Sequence, residues 1–177
     1  MSIDSKSFNG SSSSTKRWLN SVDYSDLFSQ QFHCERSIKI DDIMIVIPEI
    51  LPDWLQYLAL IRNSVVRPFG LGCSNLQDYN KGLKSLSYLT GEKIGPWEIV
   101  DSNERKIVVR GRDKHLDFCC GLCISLKDKK CELTFETIVY FRNFYGFCYF
   151  TIVKPFHRLI VKNLLAKVGG KVRGIRV

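Results

Sequence analysis

Between Gly95 and Phe141 the chain reads as four β-like runs in close succession: Trp97–Val100, Lys106–Gly111, His115–Leu126 and Lys130–Phe141. The triplets Asp101-Ser102-Asn103 and Lys127-Asp128-Lys129 between them are polar and of the kind that reverse a chain. Parallel neighbours need a crossover of about a dozen residues or more, so strands joined this tightly must run antiparallel. The block therefore predicts an antiparallel meander, and the rest of the chain has to pack against it.

After the meander, Tyr145–Val168 predicts a helix. Phe156, Leu159, Ile160 and Val168 supply an apolar side, while Lys154, Arg158 and Lys162 recur every four residues as a basic row. Pro155 lacks a backbone donor and is expected to kink this helix or to start a second one. Gly169-Gly170 is expected to end it. Before the meander, Phe28–Ile40 reads as a first strand with a weak pattern. Ile43–Ile50 is apolar and β-branched, with Pro48 and Pro52 at its end, and fits either a strand or a turn of helix. A better-marked helix follows Pro52, with Asp53 in its first turn. Trp54, Leu58, Ile61 and Val65 share one of its faces, and Pro68 and Gly70 stop it. The mixed stretch Cys73–Gly91 predicts a short second helix and a loop.

These elements make an α+β fold, a curved antiparallel sheet with a long C-terminal helix laid across it. The expected organisation is a disordered polar leader over 1–20, one domain over 21–168 and a basic tail over 169–177. No run of about 18 apolar residues is present, so no transmembrane helix is expected. The polar start lacks the apolar core of a secretory signal. With seven cysteines, an odd number, this predicts reduced thiols and a cytoplasmic protein.

The net charge of +8 is concentrated at one end. Glu136 is the last acidic residue, and the eight bases that follow it equal the whole excess. Such a cationic segment is either a solvated helix face with a loose tail or a surface for an anionic partner, with Lys154, Arg158 and Lys162 as its contacts. Nothing marks a specific nucleic-acid fold.

Several motifs combine into a resemblance. Arg110–Phe118 reads RGRDKHLDF, and Thr137–Val161 carries Asn143 and Gly146, then Tyr149-Phe150, then Pro155-Phe156-His157-Arg158. Asp23–Phe28, Leu60–Leu71 and Gly95–Val100 fit the same pattern. Together they resemble the bacterial family DUF2867, a domain of unknown function, over roughly residues 20 to 168. The resemblance implies no activity. Some relatives carry the domain behind an NAD-binding domain, but no G-x-G-x-x-G is found here and no cofactor is expected. The element order also resembles the helix-grip fold of START, polyketide-cyclase and Bet v 1-like proteins, which implies an apolar cavity between sheet and helix.

The chemistry-bearing residues then sort as follows. His115 and Asp117 lie two apart on a predicted strand and would point the same way, either as an acid–base pair or as a structural pair holding the turn with Arg112 and Asp113. Leu116, Phe118, Cys120, Leu122 and Ile124 form the cleaner apolar face, which would turn the pair toward solvent or an edge. His157 and Arg158 fit either anion recognition at a cavity mouth or a solvated helix start. Asn143 and Tyr149 are the remaining candidate ligand contacts, Asn143 serving equally well as a cap. Cys120-x-x-Cys123 sits in a strand whose alternation separates the two thiols, so no metal site is expected. Nothing in the sequence places a base beside a particular thiol.

Three functions compete. The first is a binding module for a small apolar or amphipathic molecule between sheet and helix. The second is a cyclase- or isomerase-type enzyme using His115 and Asp117, or His157. The third is a cationic adaptor for an anionic surface. The first is preferred, which leans away from an enzyme.

Overall fold

The computed structural model describes residues 4–6, 15–34, 38–51, 54–55, 57, 60, 88–94, 96–127 and 130–174. Their elements are β1 (Asp4–Lys6), β2 (Tyr24–His33), α1 (Ile40–Ile50), β3 (Lys93–Ile94), β4 (Trp97–Asn103), β5 (Lys106–Arg112), β6 (Leu116–Lys127), β7 (Lys130–Phe141) and α2 (Phe144–Gly174). The described strands form one seven-stranded sheet in the order β1-β2-β7-β6-β5-β4-β3. Every pairing is antiparallel. The expected meander is β4 to β7, and β2 returns to lie beside β7.

The first turn is tighter than the polar triplet indicated. Asp101, Ser102 and Asn103 are strand residues paired with Val108, Ile107 and Lys106, so the reversal falls on Glu104-Arg105. The Asn103 carboxamide oxygen accepts from the backbone N–H of Arg105 and Lys106, at 2.9 and 3.1 Å, so the Asn closes the turn from within the strand.

Alternation along the strands gives the sheet two distinct faces. The inner face carries Phe28, Phe32, Ile99, Ile107, Leu122, Ile124 and Leu133, and it packs with both helices into the main core. α1 contributes Ile40, Ile43, Met44, Val46 and Ile50; α2 contributes Val161, Leu164, Leu165, Val168 and Val172. The outer face has a small cluster of Val100, Val108, Cys119 and Ile138, covered by Trp18 and Leu19. A register shift between Ile99 and Asp101 lets neighbouring Ile99 and Val100 serve opposite faces.

The ambiguous stretch Ile43–Ile50 is helical. Asp41 and Asp42 occupy its first turn, and the Asp42 carboxylate accepts from the Lys39 backbone N–H at 3.0 Å. The first strand begins and ends earlier than expected, at Tyr24 and His33. Within the expected leader, Asp4–Lys6 pairs with β2, Lys16–Trp18 forms a 3₁₀ turn and Thr15 is buried. The helix expected from Pro52 lies outside the described residues except for Trp54, Leu55, Tyr57 and Leu60, which are helical. The short helix expected within Cys73–Gly91 lies outside them up to residue 87.

α2 runs through both Pro155 and Gly169-Gly170 as one helix. The first six residues of the expected tail, Gly169 to Gly174, are therefore helical. Gly169 is a contact residue, because a Cβ there would stand 3.2 Å from the Phe32 side chain. The apolar side expected from Phe156 and Leu159 is also misplaced. Both are exposed, at 42% and 49%, while Phe150, Val161, Leu165 and Val168 are buried. The first half of α2 is apolar on more than one side, and such a helix gives no single stripe to read.

One covalent bond overturns an expectation. Cys34 and Cys131 form a disulfide with Cα atoms 5.9 Å apart. Cys131 lies opposite Phe32 in the β2–β7 register, which brings Cys34 within reach. The seven cysteines are therefore not all reduced thiols, and their count no longer argues for a cytoplasmic compartment.

Candidate functional site

His115 and Asp117 take separate partners. His115 precedes β6, and its Nδ1 lies 3.1 Å from the Asn143 carboxamide oxygen. Asp117 is on the outer face and accepts two hydrogen bonds from Arg142, from Nε and from one terminal nitrogen, both at 2.9 Å. Asn143 also accepts from the Gly146 N–H at 3.2 Å and donates to the Lys114 carbonyl at 3.2 Å. It is thus the N-cap of α2 as well as a clasp on the β5–β6 turn. The Arg142 backbone N–H donates to the His115 carbonyl at 2.8 Å. The His-Leu-Asp segment and the Arg-Asn segment close one end of the β6–β7 pair and tie it to the start of α2.

The inner face holds the more telling arrangement. Alternation along β2 sends Tyr24, Asp26, Phe28, Gln30 and Phe32 inward, beneath α2. Asp26 and Gln30 are buried, at 7% and 2% exposure. Asp26 lies opposite Thr137 on β7, and Thr137 lies opposite Cys120 on β6, so these three polar groups cross adjacent strands in one row. α2 lowers His157 onto that row, with its Nε2 2.9 Å from the Thr137 hydroxyl oxygen and its ring 6.2 Å from that of Phe135. The Tyr24 hydroxyl donates to Asp26 at 2.7 Å.

Burial sets the protonation states. It holds the His157 imidazole below its usual range, against a smaller opposing pull from the Asp26 carboxylate. It pushes the Tyr24 hydroxyl up, reinforced by Asp26. It raises the Cys120 thiol, with Cys119 adding to the effect, and drives Cys119 up to about 12, so both stay protonated and poorly nucleophilic. A neutral imidazole beside a hydroxyl and a carboxylate can exchange a proton or orient a polar ligand group.

Three buried atoms around this row have no hydrogen-bond partner: Asp26 Oδ1, Gln30 Oε1 and Arg158 Nε. The Arg158 guanidinium lies 5.6 Å from the centre of the Phe28 ring, and Phe28 sits between Asp26 and Gln30 on the same face of β2. An unsatisfied buried polar atom costs about 1–3 kcal/mol, so three around one ring are unusual.

In the basic row Lys154 and Arg158 are half-buried and Lys162 is exposed. Lys154 reaches over the Tyr24 ring at 4.6 Å, and Arg158 and Lys162 reach over Phe28 at 5.6 and 5.7 Å. Tyr149 packs with Leu116, Val139 and Phe150 near the start of α2. The structure thus groups Arg158 and His157 with Tyr24, Asp26, Gln30 and Thr137, places Tyr149 earlier on α2 in a cluster that also includes Tyr24, and leaves Asn143 as the cap of the helix. Asp26 and Gln30 were missed by sequence reasoning. Their one signal was their place at alternate positions around Phe28.

A curved antiparallel sheet with a long C-terminal helix against its inner face is a helix-grip arrangement. The model of the family described as protein of unknown function (DUF2867) matches residues 18–164, and the chain belongs to that family. Among solved structures, CalU16 from Micromonospora echinospora is similar at 9% identity and a TM-score of 0.38, over 84% of this chain and 83% of that one. No curated protein matches the chain. Among the described residues, no helix is long and apolar enough to cross a membrane.

Proposed function

We propose that this chain is a binding module that holds a small amphipathic molecule between the inner face of the sheet and α2. The observation that carries this reading is the set of unpartnered polar atoms, Asp26 Oδ1, Gln30 Oε1 and Arg158 Nε, grouped around the Phe28 ring. A ligand with an apolar body and one polar end would meet both parts of that lining. The polar end would take hydrogen bonds from Arg158 and offer them to Asp26 and Gln30. His157, neutral beneath α2, would give direction to the same end. An enzymatic version of this reading rests on His157, because it is the histidine set on the polar row of the inner face. The anionic-surface reading is weakened by the turn of Lys154, Arg158 and Lys162 toward the rings of β2.

Native mass spectrometry of the purified protein, paired with a titration of the amphipathic probe anilinonaphthalene sulfonate, tests the proposal. A discrete added mass lost on denaturation, or saturable probe uptake weakened by Arg158→Leu and by Gln30→Leu, is expected. A bare mass together with no saturable uptake would overturn it, as would uptake indifferent to both substitutions.

A further inference from the structure

The sheet's outer face, away from the site beneath α2, carries a second feature. Beside the Trp18 and Leu19 cover lies an open cleft of about 400 Å³. Its lining includes Trp18, Asn20, Arg112, Lys114, Tyr140 and Arg142, with Asp117 among them. Its formation follows from the register. Arg112 on β5 lies opposite Asp117 on β6, and Asp117 lies opposite Tyr140 on β7, so three adjacent strands present these side chains on one face. Lys114 enters from the β5–β6 turn, and the N-terminal segment supplies Trp18 and Asn20 as the remaining wall.

The charges do not balance. Three cations share one carboxylate, and both oxygens of that carboxylate are occupied by Arg142 at 2.9 Å. Among the described residues, neither the Arg112 guanidinium nor the Lys114 ammonium has an ion-pair partner. The excess therefore suits a ligand group of about two negative charges, the charge of a phosphomonoester at neutral pH. Arg112 offers a planar fork and Lys114 a mobile point charge, a pairing that suits phosphate oxygens. The aromatic part of the wall is Tyr140 and Trp18, whose ring also carries the Arg17 and Arg110 guanidiniums at 5.2 and 5.9 Å, and Leu19 and Asn20 complete it. The volume is within the ordinary range for a small-molecule site, roughly 300–1,000 Å³.

We infer that this outer cleft binds a small phosphomonoester carrying a planar ring, a molecule of the mononucleotide class, through Arg112 and Lys114 at the phosphate and Trp18 and Tyr140 at the ring. Isothermal titration calorimetry at low ionic strength with adenosine monophosphate, adenosine and inorganic phosphate tests it. Adenosine monophosphate is expected to bind more tightly than either fragment, and its affinity should fall as salt is added. The Arg112→Ala and Lys114→Ala double variant should lose at least about tenfold in affinity with an unchanged thermal midpoint, since it removes both charge-assisted contacts to the phosphate. Trp18→Leu should weaken adenosine monophosphate and leave inorganic phosphate unchanged. Absence of binding by all three probes at millimolar concentration would overturn the inference. So would phosphate binding as tightly as the nucleotide, adenosine alone binding as tightly as the nucleotide, or affinity indifferent to the double variant. The site beneath α2 is untouched by these substitutions, so anilinonaphthalene sulfonate uptake in the same variants separates failure here from failure there.

Discussion

Gly146 shows how much one missing side chain can decide. A Cβ at this position would stand 2.1 Å from the His115 carbonyl oxygen, which is backbone already engaged by the Arg142 N–H. Neither side can retreat without undoing the clasp between α2 and the β5–β6 turn. Gly146→Ala is expected to cost roughly 2 kcal/mol or more in urea denaturation, the scale of severe overpacking. At Gly111 the clash would be with the Phe118 ring at 2.2 Å, and that ring packs edge-on against Trp97 at 5.3 Å. A side chain can rotate away where backbone cannot, so Gly111→Ala should cost less. His157 predicts a pH dependence. Its folded pKa is depressed by burial, so the unfolded chain takes up a proton first as pH falls. This contribution to stability is fully present above the unfolded value of about 6.5 and is lost as pH falls from there toward the folded pKa. Denaturation midpoints followed downward from neutral pH should show that slope, and His157→Gln should remove it.

At the level of elements, legibility tracked how uniformly an element serves one purpose. β6 and β7 alternate plainly and were readable as strands, down to the apolar face Leu116, Phe118, Cys120, Leu122 and Ile124. β2 was weakly marked because two of its inward positions are Asp26 and Gln30, polar residues where a core strand would carry apolar ones. The element that sequence reasoning read least well is thus the one that lines the proposed site, as expected where function competes with packing. In α2 the exposed Phe144, Phe147, Ile152, Phe156 and Leu159 blurred the choice of buried face. Gly169-Gly170 misled for another reason. A glycine pair after an apolar run usually marks a helix end, and nothing in the sequence shows that Phe32 requires a small neighbour there. The continuous helix makes a direct prediction. Nothing lies within 4 Å of a Cβ at Gly170, so Gly170→Ala should stabilise by about 1 kcal/mol through helix propensity. Gly169→Ala should gain less, since Phe32 must give way. A thermal-unfolding comparison in which Gly170→Ala destabilises would instead mean that the helix ends at the pair.

For the molecule as a whole, the disulfide joins residues 97 apart in sequence. Closing so long a loop restricts the unfolded chain, and the combined Cys34→Ser and Cys131→Ser substitution should lower stability by about 2–5 kcal/mol. Chemical denaturation with and without reductant would measure it, and equal midpoints would count against the bond. The pairing was hidden from the sequence because it depends on β2 returning beside β7, a long-range choice that local patterns do not encode. The odd cysteine count pointed the other way.

The same bond divides the chain into a ring and two arms. The ring, from Cys34 to Cys131, contains α1 and β3 to β6. One arm ends in β2, and the other carries nearly all of β7 and then α2. Asp26, Gln30, Thr137, His157 and Arg158 all lie on the arms, so a protease that nicks the ring once cannot separate the two halves of the proposed site. Such a nicked molecule should migrate as a single species without reductant and as two fragments with it, and it should hold both arms in register for as long as the bond survives.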